Sequence, residues 1–137
     1  MEALDAVFSD PPRSTEQLLH PERLQAGDSP IEVPIPDAAG VALTEGVMGE
    51  WSLVELLNAE LAPADARRAA EGWGGDRYVL VAESTQTCVV LLIRMDTEQD
   101  ADELLTAFRR WVGRQSDATV ERTDGTSLQM MTCHAIA

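Results

Sequence analysis

The side chains best suited to chemistry in this sequence are two cysteines and two histidines, Cys88, Cys133, His20 and His134. They form no His-x-x-x-His or Cys-x-x-Cys pair, so a zinc site would need distant ligands without a recognisable pattern. Cysteine–histidine catalysis requires a thiolate beside a base. Cys133 and His134 are adjacent in a predicted strand and therefore point to opposite faces. The sequence predicts no catalytic residue, no metal site and no cofactor.

Other catalytic and phosphate-binding patterns are also absent. Asp100, Asp102 and Glu103 are typical of the acidic first turn of a helix rather than of an acid–base pair. The sequence contains no lysine, which excludes a Gly-x-x-x-x-Gly-Lys loop. Ten basic and 24 acidic residues give a net charge of -14, which repels nucleic-acid phosphates and anionic lipids. We therefore expect no nucleic-acid partner, and no apolar run is long enough for direct membrane insertion.

Two segments are the most distinctive in the chain, Pro11–Pro21 and Gly72–Tyr78. The first combines prolines, a helix-capping pattern, an arginine and a histidine, and the second is rich in glycine. The second segment is interpreted either as a rigid corner between a helix and a strand or as a loop that faces a ligand. The candidate residues for a ligand or partner site are Arg13, His20, Trp51, Trp73, Asp76 and Arg77.

Short elements separated by prolines are predicted in the first third of the chain. Residues 3–8 are predicted to be the end of a helix, and a capping box at Ser14–Gln17 begins a short helix through Leu19. A second short helix is predicted over 22–25. Residues 31–36 alternate between apolar and polar side chains, but their prolines cannot donate hydrogen bonds to a neighbouring strand. They are therefore predicted to form an edge strand or an extended strap. Residues 37–49 are assigned to a loop.

Two helices then precede the sheet. Apolar residues at 53, 54, 57 and 61 predict an amphipathic helix over 50–61. Pro63 is typical of the first residue of a helix, which is predicted to end at Gly72 in a left-handed cap.

The second half of the chain has a β-β-α-β-β pattern. Strands are predicted at 78–82, 87–95, 118–123 and 126–136, and a helix with a long apolar stripe at 101–112. A right-handed crossover through this helix makes the second and third strands parallel, with the fourth between them and antiparallel to both. The predicted fold is therefore α+β. It is a mostly antiparallel four-stranded sheet with helices packed on it and an irregular N-terminal helical strap.

The chain is long enough for a single domain, 1–137. Residues 1–76 form its helical and irregular part, and 77–137 its sheet part. In this topology Cys88 lies near the start of one strand and Cys133 near the end of its neighbour. The two cysteines either form a disulfide or remain separate buried thiols.

Pro11–Pro21 and Gly72–Tyr78 together resemble segments of prokaryotic envelope proteins, often secreted or lipid-anchored, that are relatives of zincin metallopeptidases. Members of that group carry a His-Glu-x-x-His helix upstream, and this chain lacks it. The resemblance implies a non-catalytic structural or partner-binding domain of a secreted or cell-envelope protein. Its expected partner is a missing upstream peptidase-like domain or a second copy of the chain, and no signal peptide opens the sequence at Met1.

Two alternatives remain open. One is a free-standing module that binds a small ligand in a pocket between the strap and the sheet, lined by Trp51, Trp73 and Arg77. The other is an independent enzyme that uses Arg13, His20 and Asp76. A cavity with convergent polar groups would favour the binding module.

Overall fold

The computed structural model describes residues 8–136, so most of the helix predicted over 3–8 lies outside the described residues. The elements of the described chain are helices α1 (Thr15–Leu19) and α2 (Pro21–Gln25), strand β1 (Val41–Gly46), helices α3 (Gly49–Asn58) and α4 (Pro63–Ala70), strands β2 (Trp73–Ala82) and β3 (Gln86–Met95), helix α5 (Glu98–Val112), and strands β4 (Ala118–Arg122) and β5 (Ser127–Ala135). None of the helices within 8–136 combines the length and apolar content that a bilayer crossing requires.

The strands form one sheet in the order β1-β2-β3-β5-β4, and each neighbouring pair is antiparallel. β5 lies between β3 and β4, as the crossover through α5 predicted, which leaves β3 and β4 parallel. The α+β class is confirmed. The sheet has five strands, so the prediction of four was wrong in this detail.

The strand that was missed is β1, which falls inside the segment 37–49 that was assigned to a loop. Its residues from Val41 to Glu45 are all exposed, so its sequence carries no alternation of apolar and polar positions. β1 pairs with β2 at the edge of the sheet, with Val41 opposite Ala82 and Gly46 opposite Tyr78. Backbone pairing rather than side-chain burial stabilises this strand, and a hydropathy pattern reports only burial.

The main core lies between the sheet and helices α3, α4 and α5. Leu104 and Phe108 of α5 and Leu91 of β3 are essentially fully buried in it. A smaller cluster of Val79, Val81, Cys88 and Val90 contains the alternate residues of β2 and β3, which point to the opposite face. Its presence explains why the sequence of β3 is apolar at consecutive positions.

Residues 10–38 form an N-terminal strap that contains α1 and α2 and then continues in extended form. The Ile31 amide donates to the Gly74 carbonyl at 2.6 Å, Val33 is buried, and Ala38 packs on the smaller apolar cluster. Residues 31–36 make no strand ladder, so of the two predicted forms the extended strap is observed. The strap therefore packs against β2 without joining the sheet.

Cys88 of β3 and Cys133 of β5 are directly opposite each other, with their Cα atoms 4.1 Å apart, at the register that the sequence analysis expected. Their sulfur atoms form a disulfide bond. It joins residues 45 positions apart and fixes β5 to the strand in the middle of the sheet.

Candidate functional site

The segment Gly72–Tyr78 builds the corner at which β2 begins. Trp73 is buried in the core, and its Nε1 donates to Asp76 Oδ2 at 2.9 Å. The Asp76 carboxylate also accepts from the backbone amides of Met48, at 2.6 Å, and Gly49, at 2.8 Å. Amides at the start of a helix have no partner within the helix. Asp76 therefore links the beginning of α3 to the beginning of β2 by hydrogen bonds.

Two glycines allow neighbouring segments to approach this corner closely. A Cβ at Gly72 would overlap the carboxyl group of Asp100 in α5, and one at Gly75 would overlap the Ile31 carbonyl of the strap. The left-handed helix cap predicted at Gly72 is wrong, because Gly72 has no positive φ. β2 also begins at Trp73, earlier than predicted. These contacts favour the interpretation of the segment as a rigid corner.

A cavity of about 440 Å³ lies between the strap and this corner, and we call it the strap cavity. It is lined by Arg13, Ser14, Thr15, Pro30, Ile31, Glu32 and Val33 of the strap, and by Val47, Met48, Gly49, Trp73, Gly75, Asp76 and Arg77. Small-molecule sites in proteins typically measure about 300–1,000 Å³. The strap cavity has the size of such a site.

Arg77, which lines the strap cavity, carries an unsatisfied donor. Its Nε atom is buried and has no hydrogen-bond partner. Its Nη2 atom lies 3.4 Å from Glu45 Oε1, which is a long contact at a half-exposed carboxylate. Arg13 is more exposed and lies 3.3 Å from Asp10. Since an unpaired buried donor costs about 1–3 kcal/mol, an acceptor that entered the cavity would relieve this cost.

A second cavity, of about 310 Å³, lies where α1 meets α3, and we call it the α3 cavity. It is lined by Leu19, His20, Glu50, Trp51, Val54, Arg67 and Glu71. His20 Nε2 lies 2.9 Å from Glu50 Oε1, whereas the buried Oε2 of Glu50 has no partner. Burial raises the pKa of Glu50, and the hydrogen bond from His20 lowers it.

A third group of charges fastens the strap to the rest of the domain. Arg23 of α2 bonds to the buried Glu16 of α1 and lies 2.7 Å from Asp96, which precedes α5. Burial raises the pKa of Glu16 to about 7, and Arg23 acts in the opposite direction. Among residues 8–136, no three His, Cys, Asp or Glu side chains are grouped to hold a metal ion.

The structure divides the six candidate residues between the two cavities. Arg13, Trp73, Asp76 and Arg77 line the strap cavity, and His20 and Trp51 line the α3 cavity. Trp51 is therefore outside the pocket that was predicted to contain it, because it lies on the exposed side of α3. His20 is likewise separated from Arg13 and Asp76, the residues with which the enzyme alternative combined it.

Glu50 was missed by the sequence analysis, although a signal was present. Leu53, Val54 and Leu57 follow it at i+3, i+4 and i+7, so Glu50 lies on the apolar stripe of α3. A carboxylate on such a stripe is buried, and buried carboxylates are rare unless they have a partner. For Glu16, which is also buried, we find no comparable pattern in the sequence.

Residues 38–133 match the model of a family described as a domain of unknown function, DUF8575. The search of the curated proteins and the search of the solved structures each find no match. The matched segment contains Glu50, Arg77 and the sheet as far as residue 133 of β5, and it begins after α1 and α2. Its description names no peptidase, so the resemblance to zincin relatives remains a prediction.

Proposed function

The chain belongs to the DUF8575 family, whose description assigns no function, and from its cavities we propose that it is a binding module for a small organic anion. The buried, unpartnered Nε of Arg77 in the strap cavity carries this proposal. A carboxylate can accept from Nε–H and from one terminal N–H of the same guanidinium at once. This bidentate contact would give Arg77 the acceptor that it lacks.

The rest of the lining supports a singly charged ligand with an apolar body. Ile31, Val33, Val47 and Met48 offer apolar surface. Asp76 repels an anion less than a free carboxylate would, because three N–H groups already donate to it. Glu32 and the net charge of -14 disfavour a multiply charged phosphate. A short aliphatic monocarboxylate combines the required charge with the required apolar surface.

The test is an NMR titration that follows the Nε–Hε signal of Arg77 as butyrate, or its neutral analogue butyramide, is added at constant ionic strength. Butyrate is expected to shift this signal, and butyramide is not. Arg77→Lys keeps the charge but removes Nε, and should weaken butyrate binding at least about tenfold, or about 1.4 kcal/mol. Arg109→Lys, exposed on α5, is the matched control. Equal responses to the two compounds would contradict the proposal.

The partner-binding domain of an envelope peptidase-like protein is a second candidate function. It is favoured by exposed apolar side chains on α1 and α3, at Leu18 (66%), Leu19 (38%) and Trp51 (53%). If the polypeptide encoded upstream docks there, its co-expression should reduce the quenching of Trp51 fluorescence by acrylamide. Unchanged quenching in a stable mixture of the two polypeptides would exclude docking at this surface.

A further inference from the structure

The α3 cavity contains a buried acceptor without a donor. The Glu50 side chain is only 4% exposed, and its Oε1 atom is already occupied by His20 Nε2. Its Oε2 atom is the only buried side-chain acceptor without a partner among residues 8–136. Leaving a buried carboxylate oxygen unpaired costs free energy, and a charged donor recovers more of that cost than a neutral one. The cavity is therefore suited to a ligand that brings a positively charged N–H group.

The side chains around Glu50 complete a site for such a ligand. Trp51 lines the cavity and is about half exposed, and an aromatic face attracts a nearby cation. Leu19 and Val54 offer apolar surface to an alkyl stem, and Glu71 adds a second carboxylate. Arg67 also lines the cavity, and its positive charge opposes the binding of a cation.

We propose that the α3 cavity binds an organic cation, a guanidinium or alkylammonium group on an aliphatic stem, through Glu50 Oε2 and the face of Trp51. A planar guanidinium fits best because it donates to a carboxylate and stacks on an aromatic ring at the same time. The field of a chain with a net charge of -14 raises the local concentration of cations. The two cavities share no lining residue, so the argument for this site rests on different contacts from those of the anion site.

Two probes distinguish the source of the cation. N-acetyl-arginine methylamide represents a free small molecule, and a six-residue glycine peptide with one central arginine represents a basic side chain of a partner protein. Tighter binding of the peptide assigns the cavity to a protein partner, and equal binding assigns it to a small molecule. In both cases the same guanidinium contact is measured, by calorimetry and by the indole N–H signal of Trp51.

The decisive comparison uses the unmodified protein with N-acetyl-citrulline methylamide, which replaces the guanidinium by a neutral urea of nearly the same shape. We expect the arginine probe to bind at least about tenfold more tightly than the citrulline probe. Equal affinities would overturn the proposal. This comparison needs no variant and does not depend on the stability of any substitution.

Variants then locate the contact. Glu50→Gln should lower the affinity for the arginine probe at least about tenfold, and Trp51→Leu about two- to fivefold. Glu55→Gln removes the same charge from an exposed position of α3 and should change nothing. Arg67→Gln should raise the affinity, because it removes the competing cation. An unchanged affinity in a folded Glu50→Gln variant would also overturn the proposal. Arg77→Lys should leave the arginine probe unaffected, which separates failure here from failure of the anion site.

Discussion

The substitution Asp76→Ala tests whether the corner of the fold depends on one carboxylate. It removes the acceptor of the Met48 and Gly49 amides and of Trp73 Nε1, and the last two of these hydrogen bonds are buried. A buried donor without a partner costs about 1–3 kcal/mol, and the loss of a helix N-cap about 0.5–2 kcal/mol. Water that enters the vacated space offsets part of this cost. We expect a loss of about 3–5 kcal/mol in the free energy of unfolding.

Equilibrium urea unfolding followed by far-ultraviolet circular dichroism measures this loss as a lower midpoint at an unchanged slope. The matched control is Asp65→Ala, which removes an acidic residue from the first turn of α4. Its carboxylate lies 3.4 Å from Arg68 on the surface, and such pairs contribute about 0–1 kcal/mol. Asp76→Asn should cost less than the alanine variant, because an amide oxygen in the place of Oδ2 still accepts from Gly49 and Trp73 and only the Met48 amide then faces an N–H group. A loss below about 1 kcal/mol for Asp76→Ala would refute the reasoning.

Three further substitutions test other parts of the fold. Replacing Cys88 and Cys133 together by alanine should cost about 4 kcal/mol of stability, because the bond restricts an unfolded loop of 45 residues; a melting temperature that reducing agent does not change would contradict this. Burial raises the pKa of Glu16 from 4.5 to about 7, so its ionisation opposes folding. Relative to Glu16→Gln, the free energy of unfolding of the unmodified protein should therefore fall by on the order of 1–3 kcal/mol as pH rises from 4.5 to about 7, as urea unfolding measures it. An increase in this free energy over the same range would contradict the reasoning. Gly72→Ala should destabilise the domain by about 1–3 kcal/mol in urea unfolding. Gly113→Ala should cost less, because its Cβ would lie 3.3 Å from the Arg109 carbonyl oxygen, whereas a Cβ at Gly72 would overlap the carboxyl group of Asp100.

The elements that bury a continuous apolar face could be predicted from the sequence. In α5, Leu104, Phe108 and Trp111 recur at helical spacing because one side of the helix packs on the sheet. The order of β3, β5 and β4 followed from the handedness of the crossover. β1 could not be predicted in this way, since its exposed side chains leave its sequence without a pattern.

The candidate site was less predictable because its chemistry depends on contacts between distant segments. Arg77 was identified from its neighbourhood in the chain, but the burial of its Nε atom without a partner is a property of the folded domain that no local pattern reports. Glu50 and His20 are 30 positions apart, and their pairing requires that α1 dock on α3. The distinctive glycines drew attention to the corner, where their role is to permit close packing.

Helix α1 contributes lining residues to both cavities. Thr15 at its first residue faces the strap cavity, and Leu19 at its last residue faces the α3 cavity, only about one turn further along. An occupant on either side that shifts this short helix changes the shape of the opposite wall. A shift of that kind would link the two affinities, and any factor by which one ligand changed the affinity of the other would be returned in equal measure.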